Sequence, residues 1–207
     1  WVKVSTDPFI GYCRQMWNWI TTFADNMLAM GTNSKAYIEI AGNWFDITPL
    51  RDTNPILSTP DTDNCINTTN AQAKITVNLG AVPHEATTGD YVVVSGVVGS
   101  GTPQKIGGIP ITEINGNHEV TVVDPYIFTF TTTTAATSSV SSSGGTAIDL
   151  SFEVPVGNAI TTAGYGWGTG TWGRGAWGSG STVPIYLPQR DWWFDNFDND
   201  LVMNIRN

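Results

Sequence analysis

Few residues of this chain are of a type that does chemistry. Its 207 residues include two histidines, His84 and His118. Either could serve a Ser-His-Asp site, but no Gly-x-Ser-x-Gly elbow accompanies them. Gly99-Ser100-Gly101 and Gly178-Ser179-Gly180-Ser181 are flexible runs instead. His84 follows Pro83 in a loop and His118 opens a strand, so both read as structural or solvent-exposed. Asp61 with Asp63, and Asp195 with Asp198 and Asp200, could offer oxygens to Ca²⁺, which takes six to eight. The EF-hand spacing with its glycine and terminal glutamate is absent, and Asp also serves turns and caps, so no metal is expected. A glycosidase needs two carboxyl groups roughly 5–9.5 Å apart in a cleft; Glu113, Glu119 and Asp124 show no such pairing signal. Gly99–Gly108 has no Walker Gly-Lys-Ser/Thr and no following helix. Cys13 and Cys65 are too few for a disulfide framework or a zinc cage. No catalytic residue, metal or cofactor is expected.

The aromatics are more suggestive. Between 157 and 182 the chain is Gly-rich and carries Tyr165, Trp167, Trp172 and Trp177, the tryptophans recurring every five residues. That spacing fits neither a strand face nor a helix face and indicates an ordered loop. Exposed indoles there could stack on sugars or bases. The favoured reading is that they wedge into the protein body or a neighbouring subunit, with glycines allowing a tight path.

Composition narrows the class. Charged residues are 13% of the chain, about half the usual share of roughly 25%. Thr, Ser, Gly and Asn fill the gap, which favours strands joined by tight turns. The net charge of −9 leaves no basic patch to grip phosphates, although an acidic wall would let nucleic acid slide past. No apolar run reaches the length of a membrane span, and no secretory signal is legible. The chain opens at Trp1 and stops at Asn207 directly after a strand-like run, so it reads as an excerpt from a longer polypeptide.

The elements that would position these residues are strands. Met16–Phe23, Met27–Met30, Lys35–Ile40 and Trp44–Ile47 form a meander with turns at Gly31–Ser34 and Ala41–Asn43, and Pro49 ends it. Residues 52–73, rich in Asp, Asn, Thr and Pro, read as a linker. A second β unit runs to Val154. It includes Lys74–Leu79, Tyr91–Ser95, an Asn115-Gly116 hairpin turn, His118–Val123 paired with Tyr126–Thr131, and Ala147–Val154. In the last, Ile148, Leu150, Phe152 and Val154 alternate with polar residues. Val97–Gly108 and Thr132–Gly145 read as loop and polar stretch. Five or six such strands suit a small barrel or sandwich.

Two segments resemble one family. Leu28-Ala29-Met30-Gly31-Thr32-Asn33-Ser34-Lys35-Ala36-Tyr37, followed by Trp44-Phe45-Asp46-Ile47-Thr48-Pro49-Leu50-Arg51, resembles the GTN-K-Y … YDITPLR pattern of large bacteriophage tail proteins of the hub or nozzle type. Trp192-Trp193-Phe194-Asp195-Asn196-Phe197-Asp198-Asn199-Asp200-Leu201 resembles their W-S-L-D-N-F-G-E-D-L stretch. Here Trp193 stands for the serine, Phe194 for the leucine and Asp198-Asn199 for the Gly-Glu pair. The stretch between them, with Ala86–Val92 and Ile114-Asn115-Gly116, is similar to a small β-barrel unit of phage fibres and hubs.

The resemblance implies an all-β protein: a partial β-propeller-like body from residues 1–51 and 158–207, with an inserted small β-barrel or sandwich domain at 52–157. It implies a non-enzymatic virion protein, made in the host cytoplasm. Its expected partners are copies of itself in a ring, other tail or portal and adaptor proteins, and genomic DNA passing without specific binding. Its motif residues here are Gly31, Thr32, Asn33, Asp46, Thr48, Pro49, Trp192, Asp195, Asn196 and Phe197. A receptor- or carbohydrate-binding tail adhesin is the alternative, and a polysaccharide-degrading enzyme a third, less favoured reading.

Overall fold

Side chains that alternate in and out along an extended backbone bury one face of a sheet only when neighbouring strands share the register. A computed structural model shows how this chain meets that condition; it describes residues 9–51, 61–154 and 191–206. Among the described residues the protein is all-β apart from one helical turn. It divides into two compact units, one of residues 1–48 with 156–207 and one of residues 49–155.

In the first unit β1 (Cys13–Ile20), β2 (Asn26–Thr32), β3 (Ala36–Ile40) and β4 (Asn43–Asp46) form an antiparallel four-stranded meander. Trp17 lies opposite Ala29 and Trp19 opposite Met27. Ala29 in turn pairs with Ile38, so one face is apolar across three strands. A hairpin of β15 (Asp191–Phe197) and β16 (Asp200–Arg206) packs on that face. Trp192 and Phe194 meet Trp19, Ala29 and Ala36 in the buried core, flanked by Trp17, Met27, Ile38, Leu201 and Met203. The expected turn at Gly31–Ser34 is tighter than predicted: β2 runs through Thr32, and only Asn33, Ser34 and Lys35 separate it from β3.

The second unit is two sheets around one core. Strands β5 (Ile66–Thr68), β6 (Lys74–Asn78), β7 (Tyr91–Ser95), β10 (Gly116–Glu119), β11 (Thr121–Asp124), β12 (Ile127–Thr131), β13 (Val140–Ser143) and β14 (Asp149–Phe152) supply them. One sheet has the order β10-β7-β14 and the other β11-β12-β6-β5-β13. Val92, Val94, Leu150 and Phe152 of the first face Ile75, Val77, Phe128 and Phe130 of the second. The chain changes sheets within one continuous extended run. His118 pairs with Val92 and Thr121 with Thr129, and Val120 between them is fully buried. Neither sheet closes on itself, so the unit is a sandwich and not a barrel.

Several expectations are corrected here. The described part of the predicted linker, residues 61–73, belongs to the sandwich. β5 pairs with β6, Cys65 and Ile66 lie in the core, and the buried Thr62 hydroxyl donates to the Ile148 carbonyl. Its polar composition misled because Thr62 and Thr68 satisfy their hydroxyls internally and so can be buried. The polar stretch after Thr132 likewise contains β13, paired with β5. The Gly-rich loop holds a minimal hairpin, β8 (Lys105–Ile106) with β9 (Ile109–Pro110).

Asn115-Gly116 makes no hairpin. It follows a helical turn, α1 (Ile111–Ile114). The Asn115 amide instead brackets Val97, accepting from its N–H at 3.1 Å and donating to its carbonyl at 3.2 Å. A long-range pairing outcompetes the local turn preference. The second unit begins at Pro49, where the Arg51 N–H donates to the Phe152 carbonyl and the Val154 N–H to the Pro49 carbonyl.

Phe128 stands at the centre of the sandwich, edge-on to Phe152 with ring centroids 5.7 Å apart. Phe128→Ala is expected to destabilise the protein by about 3–5 kcal/mol, read from the urea midpoint of the circular-dichroism transition.

Candidate functional site

The residues of the first family-like segment form one hydrogen-bonded frame. Thr32 closes the β2–β3 turn: its hydroxyl donates to the Lys35 carbonyl at 3.0 Å and accepts from the N–H groups of Ser34 and Lys35. Asn33 ties the chain entering β1 to this turn, its Oδ1 accepting from the Tyr12 N–H at 2.6 Å. Lys35 is 1% exposed and its ammonium lies 2.9 Å from Asp46 Oδ2. The other oxygen of Asp46 accepts from the Thr48 N–H and hydroxyl at 3.0 and 2.6 Å. Thr48 Oγ1 then accepts from the Ala36 N–H at 3.0 Å, which fastens the end of the meander back onto β3. Burial works to raise the Asp46 carboxyl, but the bonds from Thr48 and the Lys35 ammonium outweigh it and hold the group below its ordinary value.

The second segment docks on this frame. The Trp192 indole N–H donates to the Thr32 carbonyl at 2.7 Å. Its ring occupies the space a side chain at Gly31 would need: a Cβ built there would overlap the indole. Asn196 Oδ1 accepts from the Trp17 indole at 3.2 Å, and the Asn199 carbonyl accepts from the Trp19 indole at 3.2 Å. Asn199 also holds the β1–β2 turn, its Oδ1 accepting from the Thr22 N–H at 2.7 Å. Asp195 accepts from the neighbouring Asn196 N–H at 2.8 Å, and Phe197 is exposed at the hairpin tip. Pro49 contributes its carbonyl to Val154 in the second unit.

Thus Gly31, Thr32, Asn33, Asp46, Thr48, Trp192 and Asn196 act together, while Asp195 and Phe197 do not enter the frame. Lys35, Asn199 and the indoles of Trp17 and Trp19 belong to it and were not singled out as site residues. The lysine sits in the quoted motif, but its burial is a tertiary fact. Tyr165, Trp167, Trp172 and Trp177 lie outside the described residues.

The histidines are packed into the sandwich. His84 is buried; its Nε2 lies 2.8 Å from the Asp124 carbonyl and its Nδ1 accepts from the Ala86 N–H at 3.0 Å. Both ring nitrogens are therefore occupied. His118 stacks on Phe130 with centroids 4.1 Å apart and reaches the Ile114 carbonyl at 2.8 Å. Burial depresses its basicity, with the bond to Ile114 acting the other way. Glu113, far from forming a carboxylate pair, accepts from Thr133 and Thr134. Burial pushes the Cys65 thiol up to about 12, while Cys13 is exposed. Among the described residues no group of three or more His, Cys, Asp or Glu is placed to hold a metal ion.

No protein-family model matches the chain, and no curated protein matches it. Among solved structures it is similar to the phage phi92 endosialidase, with a TM-score of 0.32 and 18% identity over 69% of this chain and 17% of that one. The chain thus spans about a sixth of that protein's length. The expectation of a non-enzymatic protein is corrected by this finding: the neighbour is by its name an enzyme, so that reading is withdrawn. The likeness is too slight to assign an activity to this chain.

Three outcomes follow from the frame. Gly31→Ala is expected to cost about 1–3 kcal/mol by overpacking against Trp192, with much of the loss recovered in Gly31→Ala/Trp192→Leu, as read by tryptophan fluorescence in urea. Removing the two ends of the ion pair should cost unequally. Asp46→Ala leaves the ammonium buried without this carboxylate, at about 2–4 kcal/mol. Lys35→Met keeps the buried stem and leaves a carboxylate that is 38% exposed, at about 1 kcal/mol. Asp46 is lowered in the folded state, so its contribution is complete above the unfolded value near ~3.9 and is lost as pH falls through the folded value; Asp46→Ala should flatten the stability profile in that acid range.

Proposed function

We propose that this chain is a structural component of a bacteriophage tail, built into a ring of identical copies on the path by which DNA leaves the particle. One observation carries the reading. The two segments that resemble tail hub and nozzle proteins lie some 150 residues apart in sequence, yet Trp192 of one is seated on Gly31 and Thr32 of the other. Gly31, Thr32, Asn33, Asp46, Thr48, Trp192 and Asn196 are joined in one hydrogen-bonded frame, and residues 49–155 form a separate compact unit. Rigidity is what a ring under load requires, and paired strands locked by buried polar groups supply it. The net charge of −9 suits a wall that DNA passes without adhering.

A tail adhesin that binds a receptor glycan is the competing reading, favoured by the partly exposed Trp193 on the outer side of β15, 45% accessible. Such an indole could stack on a sugar face.

Immunogold electron microscopy of particles, with antibody raised against this chain, tests the proposal. Label is expected in a ring at the tail axis. Label confined to peripheral fibres, together with retention on a glycan panel that Trp193→Ala abolishes, would establish the adhesin instead. Absence of the chain from particles would refute both.

A further inference from the structure

We infer that the paired tips of the two hairpins in the first unit form a contact to a second copy of this chain, and that the contact is head-to-tail. This rests on the ring reading above and names the surface that would build it. The β1–β2 turn and the β15–β16 turn are held side by side: Asn199 Oδ1 accepts from the N–H of Thr22 at 2.7 Å, and the Trp19 indole donates to the Asn199 carbonyl. The joined tips present Phe23 at 82%, Phe197 at 78% and Ile20 at 65% exposure. Two phenylalanines on neighbouring turns, fixed by a shared asparagine, are an unusual outlay of apolar surface for a free tip.

The area argues for a protein surface. A phenylalanine presents roughly 200 Å², so the three exposed side chains offer about 400 Å² of apolar surface. A standard interface takes about 800 Å² from each partner, of which somewhat more than half is non-polar. The tips therefore suffice for the apolar centre of one side of such a contact.

Charge then selects the geometry. Asp25, Asp198 and Asp200 are exposed around the tips, and neither turn carries a lysine or arginine. A two-fold contact places the same patch on itself; it would bring three carboxylates of one copy against three of another. A head-to-tail contact avoids this by setting the tips on a different, cationic surface. Among the described residues Lys74 and Lys105 are exposed cations with which the carboxylates of the tips can pair. Head-to-tail contacts that repeat with a closing rotation make rings.

Sedimentation velocity of the chain across concentration and salt tests the inference. The expected result is a discrete assembly larger than a dimer that weakens as salt rises. Phe23→Ser/Phe197→Ser should weaken association at least tenfold while keeping the wild-type circular-dichroism melt. Asp25→Asn/Asp198→Asn, which leaves the apolar surface intact, should also weaken assembly and remove its salt dependence. If the phenylalanine variant fails to fold, the aspartate variant decides alone. An assembly untouched by either variant overturns the tip contact while leaving the ring reading in place. A two-fold dimer that strengthens with salt overturns the head-to-tail geometry. A monomer at all concentrations that instead binds phosphatidylcholine vesicles through the phenylalanines overturns the inference in favour of a lipid surface. Particles that contain the chain without a ring overturn the reading it rests on.

Discussion

Trp192 reaches the Thr32 carbonyl only because residue 31 has no β-carbon. That single omission lets an indole occupy the place of a side chain and present its N–H to the backbone at 2.7 Å. A buried indole without a partner for its N–H would be costly, and a β-carbon at 31 would exclude the ring. The contact fixes the β15–β16 hairpin on the meander, and the remaining indole bonds, from Trp17 to Asn196 and from Trp19 to Asn199, continue the same pairing along its length. Each joins an apolar ring to one specified acceptor, so the core is held in one arrangement by polar geometry as well as by burial.

The Lys35–Asp46 pair does related work at the same turn. A lysine that is 1% exposed is tolerated because Asp46 meets it at 2.9 Å, and Asp46 is in turn oriented by Thr48. Such a pair adds less to stability than an apolar replacement of similar shape could, since both charges lose water. Its contribution is to specify which strand end meets which. The second unit has its own buried carboxylate, Glu153, which accepts from the Asn117 amide. Its two sheets are joined by apolar packing, by the buried Thr62 hydroxyl on the Ile148 carbonyl and by a chain that crosses from one sheet to the other at Val120, and its histidines are held by backbone groups within that packing.

How far the sequence could be read depended on whether local pattern and tertiary demand agreed. The meander was legible because alternation, short turns and Pro49 all point the same way, and Ile148, Leu150 and Phe152 alternate into the core as their spacing predicts. Residues 61–73 were misread because Thr62, Thr68 and Cys65 are buried by partners distant in sequence, among them Ile148 and Ser138. Asn115-Gly116 was misread for the same reason: the asparagine pairs with Val97 instead of turning a hairpin. That the hydroxyls of Thr32 and Thr48 and the carboxylate of Asp46 belong to one frame was not legible in the sequence.

Residue type and period alone determined that this protein is made of strands, where most of them lie, and that it carries few cations. A strand's period of two is a local property of the backbone, and charge is a property of composition. Tertiary structure alone decided which polar residues are buried, that two sheets form an open sandwich, and that Lys35, Gly31 and Asn199 matter. Those outcomes depend on atoms brought together from remote positions, and a hydrogen bond or a steric exclusion exists only once both partners are in place.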